Sequence, residues 1–453
     1  MQTYEDAVER LYALGHELHQ TPAEKFDLNH MRVLARALGE PWKKFACILI
    51  AGTNGKGSTA ATLASILRSS GYKTGLYTSP HLIHVNERIR VDGEPISDDD
   101  FAAVYNQVQE IASELVAKSE LPNMPSFFEM LTAMAFLHLA KIGADVAVLE
   151  VGMGGRLDAT NVVEPVLSII TDIDLDHQKY LGNTIGEIAR EKAGIMRAGV
   201  PVVMLPQHPQ ANEVLGKHAL EIGAEAISAA YHVAAVSPGS DVLVQQTTTK
   251  MRFGMSVLGK EIRVESPLVG RHQIRNLALA ITAAETLAQK GFHITAKSIE
   301  KGIRETNWPG RFQMLEATDQ RPAIVFDVAH NAAGAWALRS VLNERLGDRP
   351  RVLVFGVMRD KAVRDIVQIL FPTADRIVVT TTEHNPRATS TSDLAEIARE
   401  QGAEVVEAPD VKTALAEAFE AAREIPSNSD GAPVVVICGS IYIVGDAMKL
   451  IFA

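Results

Sequence analysis

The sequence predicts an α/β protein of two domains. Residues 1–307 form a P-loop-type, mostly parallel sheet flanked by helices, and 308–453 a smaller Rossmann-like α/β domain. Three observations lead there. Short apolar, β-like runs alternate with helical patterns along almost the whole chain, the signature of a sheet covered on both faces. A glycine-rich turn, Ala51-Gly52-Thr53-Asn54-Gly55-Lys56-Gly57-Ser58-Thr59, joins the first such run to a helical pattern. The alternation breaks at Asn307-Trp308-Pro309-Gly310 before a second βα series begins. A chain of 453 residues also exceeds what one core supports.

In order along the chain, strands are expected near 45–51, 73–78, 145–151, 166–172 and 201–205. Helices are expected near 59–68, 98–118, 126–142 and 184–196. Residues 230–268 are rich in Val, Thr and Ser with turn residues, and suggest antiparallel hairpins appended to the first sheet. Helical patterns at 271–290 and 295–305 follow. The second series carries strands at 323–328, 351–356, 375–381, 404–407 and 433–438. In such folds ligands sit at the carboxyl ends of the strands, and between the domains.

The formal net charge of −11 argues against a nonspecific nucleic-acid or anionic-membrane surface. The two cysteines, Cys47 and Cys438, lie in apolar runs and read as buried thiols of a reducing compartment. The acidic N-terminus lacks a signal-peptide layout, and the longest apolar stretch, 434–444, is too short to span a bilayer. A cytoplasmic protein without nucleic-acid or membrane partners is expected.

The glycine-rich turn carries the chemistry. Gly52, Gly55 and Gly57 allow left-handed turns and close approach of backbone N–H groups to phosphates. Lys56 adds a point charge, and the following helix aims its positive end at whatever the loop holds. The loop departs from Gly-x4-Gly-Lys-Ser spacing: Ile50 stands where glycine is required, and Gly57 separates Lys56 from Ser58.

Ser79, Glu150 and His177 fall at predicted strand ends. Each has a structural reading as a turn cap, a solvated strand end or a satisfied loop histidine. Together they offer a hydroxyl, a carboxylate and an imidazole to Mg²⁺ bridging ATP phosphates, although imidazole is an unusual magnesium ligand. Lys192, beside Glu191, reads by default as a surface charge of an amphipathic helix. Asp327 and His330 end the first predicted strand of the second domain. Arg311, just past the break, is a phosphate cation or a hinge ion pair.

These residues, in this order, resemble the folylpolyglutamate synthase/dihydrofolate synthase family of the Mur ligase superfamily. The match runs nearly end to end. Its carriers are Gly52-Thr-Asn-Gly-Lys-Gly-Ser58, Tyr77-Thr-Ser-Pro-His-Leu82 with Asn86-Glu-Arg-Ile-Arg90, and Phe127-Phe-Glu-Met130. Further carriers are Glu150-Val-Gly-Met-Gly-Gly-Arg-Leu-Asp-Ala-Thr-Asn161, Asp176-His177, Lys192-Ala-Gly-Ile195, and His272-Gln273 with Arg275-Asn276. Trp308-Pro-Gly-Arg311, Asp327-Val-Ala-His-Asn331 and Gly439-Ser-Ile-Tyr442 complete the set.

The resemblance implies ATP-dependent amide formation, in which a carboxylate becomes an acyl phosphate and the glutamate amine displaces phosphate. It implies that Thr53, Asn54, Gly55, Lys56, Gly57 and Ser58 cradle the phosphates. Ser58, Ser79, Glu150 and His177 would hold magnesium, as two ions, with a monovalent cation as a further option. Lys192 matches a lysine carbamylated in the family, which reverses its surface reading. Asn276, Arg311 and Asp327 match ATP contacts, and His330 faces the transferred phosphate; Lys56, Lys192, His330 and Arg311 form the implied catalytic set. Lys25, Phe26, Asp27 and Leu28, then Ser126, Phe127, Phe128 and Glu129, and Leu157, Asp158 and Ala159 would surround the pterin. The run Gly155–Asn161 resembles the bifunctional bacterial form, acting on dihydropteroate and on reduced folates with L-glutamate, as a monomer.

A cell-wall amino-acid ligase of the same superfamily is disfavoured, because only 51 residues precede Gly52, too few for a separate UDP-binding domain. A P-loop GTPase would leave the second domain, Arg311 and the Asp327/His330 pair without a role. An inactive scaffold would not need the ionisable set.

Overall fold

The computed structural model describes residues 3–15, 28–234, 245–246, 249–382 and 385–452. Its largest sheet contains β1 (Ala46–Ala51), β2 (Thr74–Tyr77), β3 (Ile89–Val91), β4 (Glu94–Pro95), β5 (Val146–Glu150), β6 (Pro165–Ile170), β7 (Pro201–Met204) and β8 (Glu225–Ser228). The spatial order is β4-β3-β2-β5-β1-β6-β7-β8. Pairing is parallel from β2 through β8, and β3 and β4 add an antiparallel edge. The central strands β2 and β5 are buried at every position, as a sheet covered on both faces requires.

Registry aligns the strand ends that matter. Ile50 of β1 pairs with Glu150 of β5, Tyr77 of β2 with Leu149, and Ala51 with Ile170 of β6. The chain leaves β1 for β2 on one side and later places β6 on its other side. The carboxyl end of β1 is therefore a topological switch point, where open α/β sheets leave a crevice.

The described residues of the 230–268 segment differ from expectation, while 235–244 and 247–248 lie outside the described residues. β9 (Gln245–Gln246), β10 (Met251–Val257) and β11 (Lys260–Ser266) make a separate three-stranded sheet instead of extending the large one. The large sheet already ends in β8, whose first two residues are exposed. A further sheet is formed by β12 (Gln313–Leu315), β13 (Ala323–Phe326), β14 (Arg351–Phe355), β15 (Arg376–Val379), β16 (Val406–Glu407) and β17 (Val434–Cys438). Its order is β12-β13-β17-β14-β15-β16, all parallel except β12. The edge strands β3, β4, β8 and β12 went unread because their short sequences carry little apolar patterning; backbone pairing holds them.

Contacts divide the chain into two compact units: 1–235, 254–264 and 274–307 in one, and 236–253, 265–273 and 308–453 in the other. In the first unit the helix Lys56–Ser69, directly after β1, is buried from Gly57 through Leu67. Its small residues admit the helix Ala296–Arg304 at close range: Ser65 Oγ donates to the Gly302 carbonyl at 2.7 Å. A Cβ on Gly302 would lie 2.4 Å from Ile66 Cα, a backbone atom that has little room to retreat.

Gly302→Ala tests this packing. Alanine gains up to about 1 kcal/mol in helix propensity, whereas overpacking costs about 1–3 kcal/mol. Urea denaturation should show a net loss of about 1–2 kcal/mol, and an unchanged or raised midpoint would contradict the close approach.

Candidate active site

The glycine-rich turn is sterically compulsory at two places. Gly52 has φ +155°, and a Cβ there would fall 1.7 Å from Thr171 Oγ1. Gly55, at φ +89°, caps the helix, and its Cβ would meet Asn276 Oδ1 at 2.2 Å. The helix starts at Lys56, earlier than the sequence suggested, so Lys56, Gly57 and Ser58 are its first turn. Their N–H groups precede the first intrahelical bond, from Thr59 N to Gly55 O at 2.9 Å, and point out of the positive end.

The preceding limb is engaged elsewhere. Thr53 and Asn54 N–H both donate to the Asp172 carbonyl, at 2.8 and 3.1 Å. Thr53 Oγ1 donates to Asp174 O at 3.0 Å and stands 3.1 Å from Asp174 N as its acceptor. Residues 53–54 thereby hold the turn, while Lys56, Gly57 and Ser58 form the positive end of the helix.

Two ammonium groups meet behind it. Lys56 Nζ donates to Gly52 O and to Thr53 O, each at 3.2 Å, and Lys192 Nζ donates to Gly52 O at 2.7 Å. Lys192 is 3% exposed, which overturns the surface reading. Burial, then repulsion by Lys56, pulls its ammonium down to about 7, against the opposing pull of Asp176 and Asp158.

Glu150, at the end of β5, is 5% exposed; its Oε1 lies 4.0 Å from Lys56 Nζ, and Ser79 N donates to Oε2 at 3.4 Å. His177 caps a one-turn helix with φ +50°, and its N–H donates to Asp176 Oδ1 at 2.8 Å. Of the expected metal residues, Ser58, Ser79 and Glu150 offer hard oxygens, of which the buried Glu150 carboxylate fits magnesium well, whereas the His177 imidazole is a less usual ligand for it. Among the described residues no group of three or more His, Cys, Asp or Glu is placed to hold a metal.

The expected pterin residues divide by role. Ser126 and Glu129 form a capping box at the start of the helix Phe127–Lys141. Phe128 lies against Gly152, where a Cβ would come within 2.6 Å of its Cζ, and 6.0 Å from the Tyr77 ring. Phe127 stacks on Tyr12 at 5.4 Å beneath the Arg88 guanidinium at 5.2 Å. Asp158 is turned into its own loop, accepting from Met153 N, Thr160 N and Thr160 Oγ1. Burial raises its carboxyl, against those hydrogen bonds. Leu157 is half-buried and Ala159 buried, and Leu28 opens the helix Leu28–Ala37. Lys25, Phe26 and Asp27 lie outside the described residues.

The second unit holds its own cluster. Asp327 follows β13, which is the second strand of that unit's sheet in chain order after β12, and accepts from Phe312 N and Ala329 N at 2.9 Å each. Burial raises its carboxyl, and Arg311 opposes that rise. Arg311 Nη1 donates to Gly310 O at 3.3 Å. His330 Nδ1 bonds the Val328 carbonyl at 2.9 Å, so in a neutral ring the proton sits on Nδ1.

Comparison with known proteins identifies the family. Residues 50–284 match the Mur ligase middle domain, and 310–441 the Mur ligase, glutamate ligase domain. The dihydrofolate synthase/folylpolyglutamate synthase of Bacillus subtilis is 36% identical over 93% of this chain and 94% of its own length. The chain belongs to the dihydrofolate synthase/folylpolyglutamate synthase family of the Mur ligases. It is accordingly an ATP-dependent ligase with that family's α/β fold. The Mycobacterium tuberculosis folylpolyglutamate synthase complexed with ADP superposes with TM-score 0.87 at 33% identity, covering 98% of this chain and 99% of that one. Escherichia coli FolC in complex with DHPP and ADP gives TM-score 0.80 at 28% identity, covering 100% and 98%.

Sequence reasoning gave no role to Asp172 and Arg275, or to Asp176 as the charge facing Lys192. Asp176 and Arg275 stood inside quoted motifs, but only the fold reveals their partners.

Lys192 makes stability depend on pH. The unfolded lysine titrates near 10.5 and the folded one at about 7, so between these values the unfolded chain binds the extra proton. Stability from this group therefore rises with pH across that window and is lowest below it. In CO₂-free buffer, the unfolding free energy of wild type minus Lys192→Met should climb between about pH 7 and 10; a flat difference would contradict a buried, depressed ammonium.

Proposed function

We propose that this chain joins L-glutamate in amide linkage to dihydropteroate, giving dihydrofolate, and to the γ-carboxylate of reduced folates. The acceptor carboxylate takes the γ-phosphoryl group of ATP as ADP leaves, and the glutamate amine then attacks the acyl phosphate's carbonyl carbon, losing a proton as phosphate is expelled. The observation that carries this reading is the convergence of Lys56, Lys192 and Glu150 on the turn at Gly52. The arrangement places two cations and a metal-competent carboxylate beside a helix's positive end.

In this reading the N–H groups of the first helical turn and Lys56 position the ATP phosphates. Phosphoryl transfer asks the protein mainly for alignment and charge neutralisation. Magnesium, when bound, would supply positive charge that offsets the negative charge of the phosphates. Glu150, Ser79, Ser58 and His177 are the residues that would hold it, with Lys192 once carbamylated. The neutral Lys192 amine adds to CO₂ and releases a proton. Its depressed ammonium supplies that neutral form near neutral pH, and the resulting anion relieves repulsion with Lys56. Asn276, Arg311 and Asp327 are assigned to ATP and His330 to the transferred phosphate. The aromatic pair Phe127 and Phe128, with Leu157 and Ala159, is assigned to the pterin.

The test incubates purified protein with ATP, Mg²⁺ and glutamate, offering dihydropteroate or tetrahydrofolate separately. ADP release with each acceptor is expected, and release with tetrahydrofolate alone would reduce the reading to chain extension. Lys56→Ala should lower kcat by about 10²–10³-fold, the range for losing one charge-stabilising donor. Lys192→Ala should depress turnover comparably, with partial recovery on adding short carboxylates. Wild-type turnover in that variant would remove Lys192 from the mechanism.

A further inference from the structure

Arg275 stands in the His272–Asn276 motif beside Asn276, a proposed ATP contact, and has no role in the proposed chemistry. It lies on the helix Arg271–Gln289 and grips Asp172 with a two-pronged contact: Nε to Oδ2 at 2.8 Å and Nη2 to Oδ1 at 2.5 Å. Nη2 also donates to Pro206 O at 3.0 Å, tying the fork to the segment after β7. Asp172 is the residue whose carbonyl receives the Thr53 and Asn54 N–H groups. Its backbone also forms an isolated antiparallel bridge with that of Asn54. One residue on, the same helix presents Asn276 to Gly55.

We propose that Arg275 is a positioning residue for the nucleotide turn, acting through Asp172. The fork fixes the Asp172 side chain, Asp172 fixes the carbonyl that holds residues 53–54, and these set where the first helical turn aims its donors. The inference rests on the reading of residues 55–58 as the phosphate site. The pair is about one-third exposed, 31% for Arg275 and 36% for Asp172. Ion pairs so placed add little to global stability, so the effect should fall on nucleotide binding more than on folding. A planar two-pronged contact also orients its carboxylate in a way that a point charge cannot.

The experiment titrates ADP with Mg²⁺ into the full-length chain and measures KM for ATP and glutamate. It uses Arg275→Gln, Asp172→Asn, the double variant and Arg275→Lys, with Lys56→Ala as the separate test of the phosphate site. Arg275→Gln and Asp172→Asn should each weaken ADP binding and raise KM for ATP by about tenfold, the scale of one lost charged hydrogen bond. KM for glutamate and the melting temperature should stay close to wild type. The double variant should be no worse than the poorer single, because both break one linkage, and Arg275→Lys should recover part of the loss.

Wild-type ADP affinity in Arg275→Gln would overturn the proposal. So would losses that multiply in the double variant, or an Asp172→Asn protein that binds ADP normally, which would make Arg275 a direct contact. Should either glutamine or asparagine variant fail to fold, Arg275→Lys decides: a raised KM for ATP alone supports the linkage, and unchanged kinetics overturns it. Undiminished ADP binding in Lys56→Ala would instead sink the phosphate-site reading, and this inference with it.

Discussion

The Gly52 carbonyl oxygen accepts from two ammonium groups at once, and much of the site follows from that crowding. Burial disfavours the charge on Lys192, repulsion from Lys56 at the shared acceptor adds to that, and Lys192 loses affinity for its proton. Glu150 on one side, with Asp176 and Asp158 acting on Lys192, offset part of the excess. A phosphate chain, or a carboxylate made on Lys192 itself, would offset the rest. The turn thus carries an excess of positive charge, which an anionic ligand would complete in the proposed reading.

Holding that arrangement requires a rigid frame, and the frame is unusually direct. The Lys56–Ser69 helix is surrounded because its small residues let the Ala296–Arg304 helix approach to backbone contact. The ends of β1, β2, β5 and β6 lie level through parallel register, which brings Ser79, Glu150, Gly52 and Thr171 to one rim. The donor geometry of the turn is therefore set by strand pairing and helix packing more than by the turn's own sequence.

Some expected binding residues serve the scaffold in the structure. Ser126 and Glu129 satisfy the N-terminus of a helix, and the Asp158 carboxylate satisfies its own loop. Such residues can recur in a motif because they shape a surface for a ligand, with their polar atoms already committed. Phe128 shows the complementary case: its ring rests on Gly152, so the glycine-rich segment after β5 supplies flat backbone where a side chain would collide.

The sequence by itself determined the alternation of strands and helices, the turn after β1 and the ordered motifs, because each is encoded over a few neighbouring residues as periodicity or turn chemistry. Its helical pattern alone placed Lys192 at the surface, and only the motif resemblance reversed that, since an amphipathic pattern cannot say which edge of the helix faces a strand end. It was silent on the short edge strands, which depend on backbone pairing, and it misplaced the hairpin at 251–266, whose attachment no local pattern records. Arg275 and Asp172 lie 103 positions apart, so their grip is invisible until the sheet and helix are folded. Tertiary structure decided these matters because burial, charge repulsion and fork geometry arise only when distant segments share one small volume.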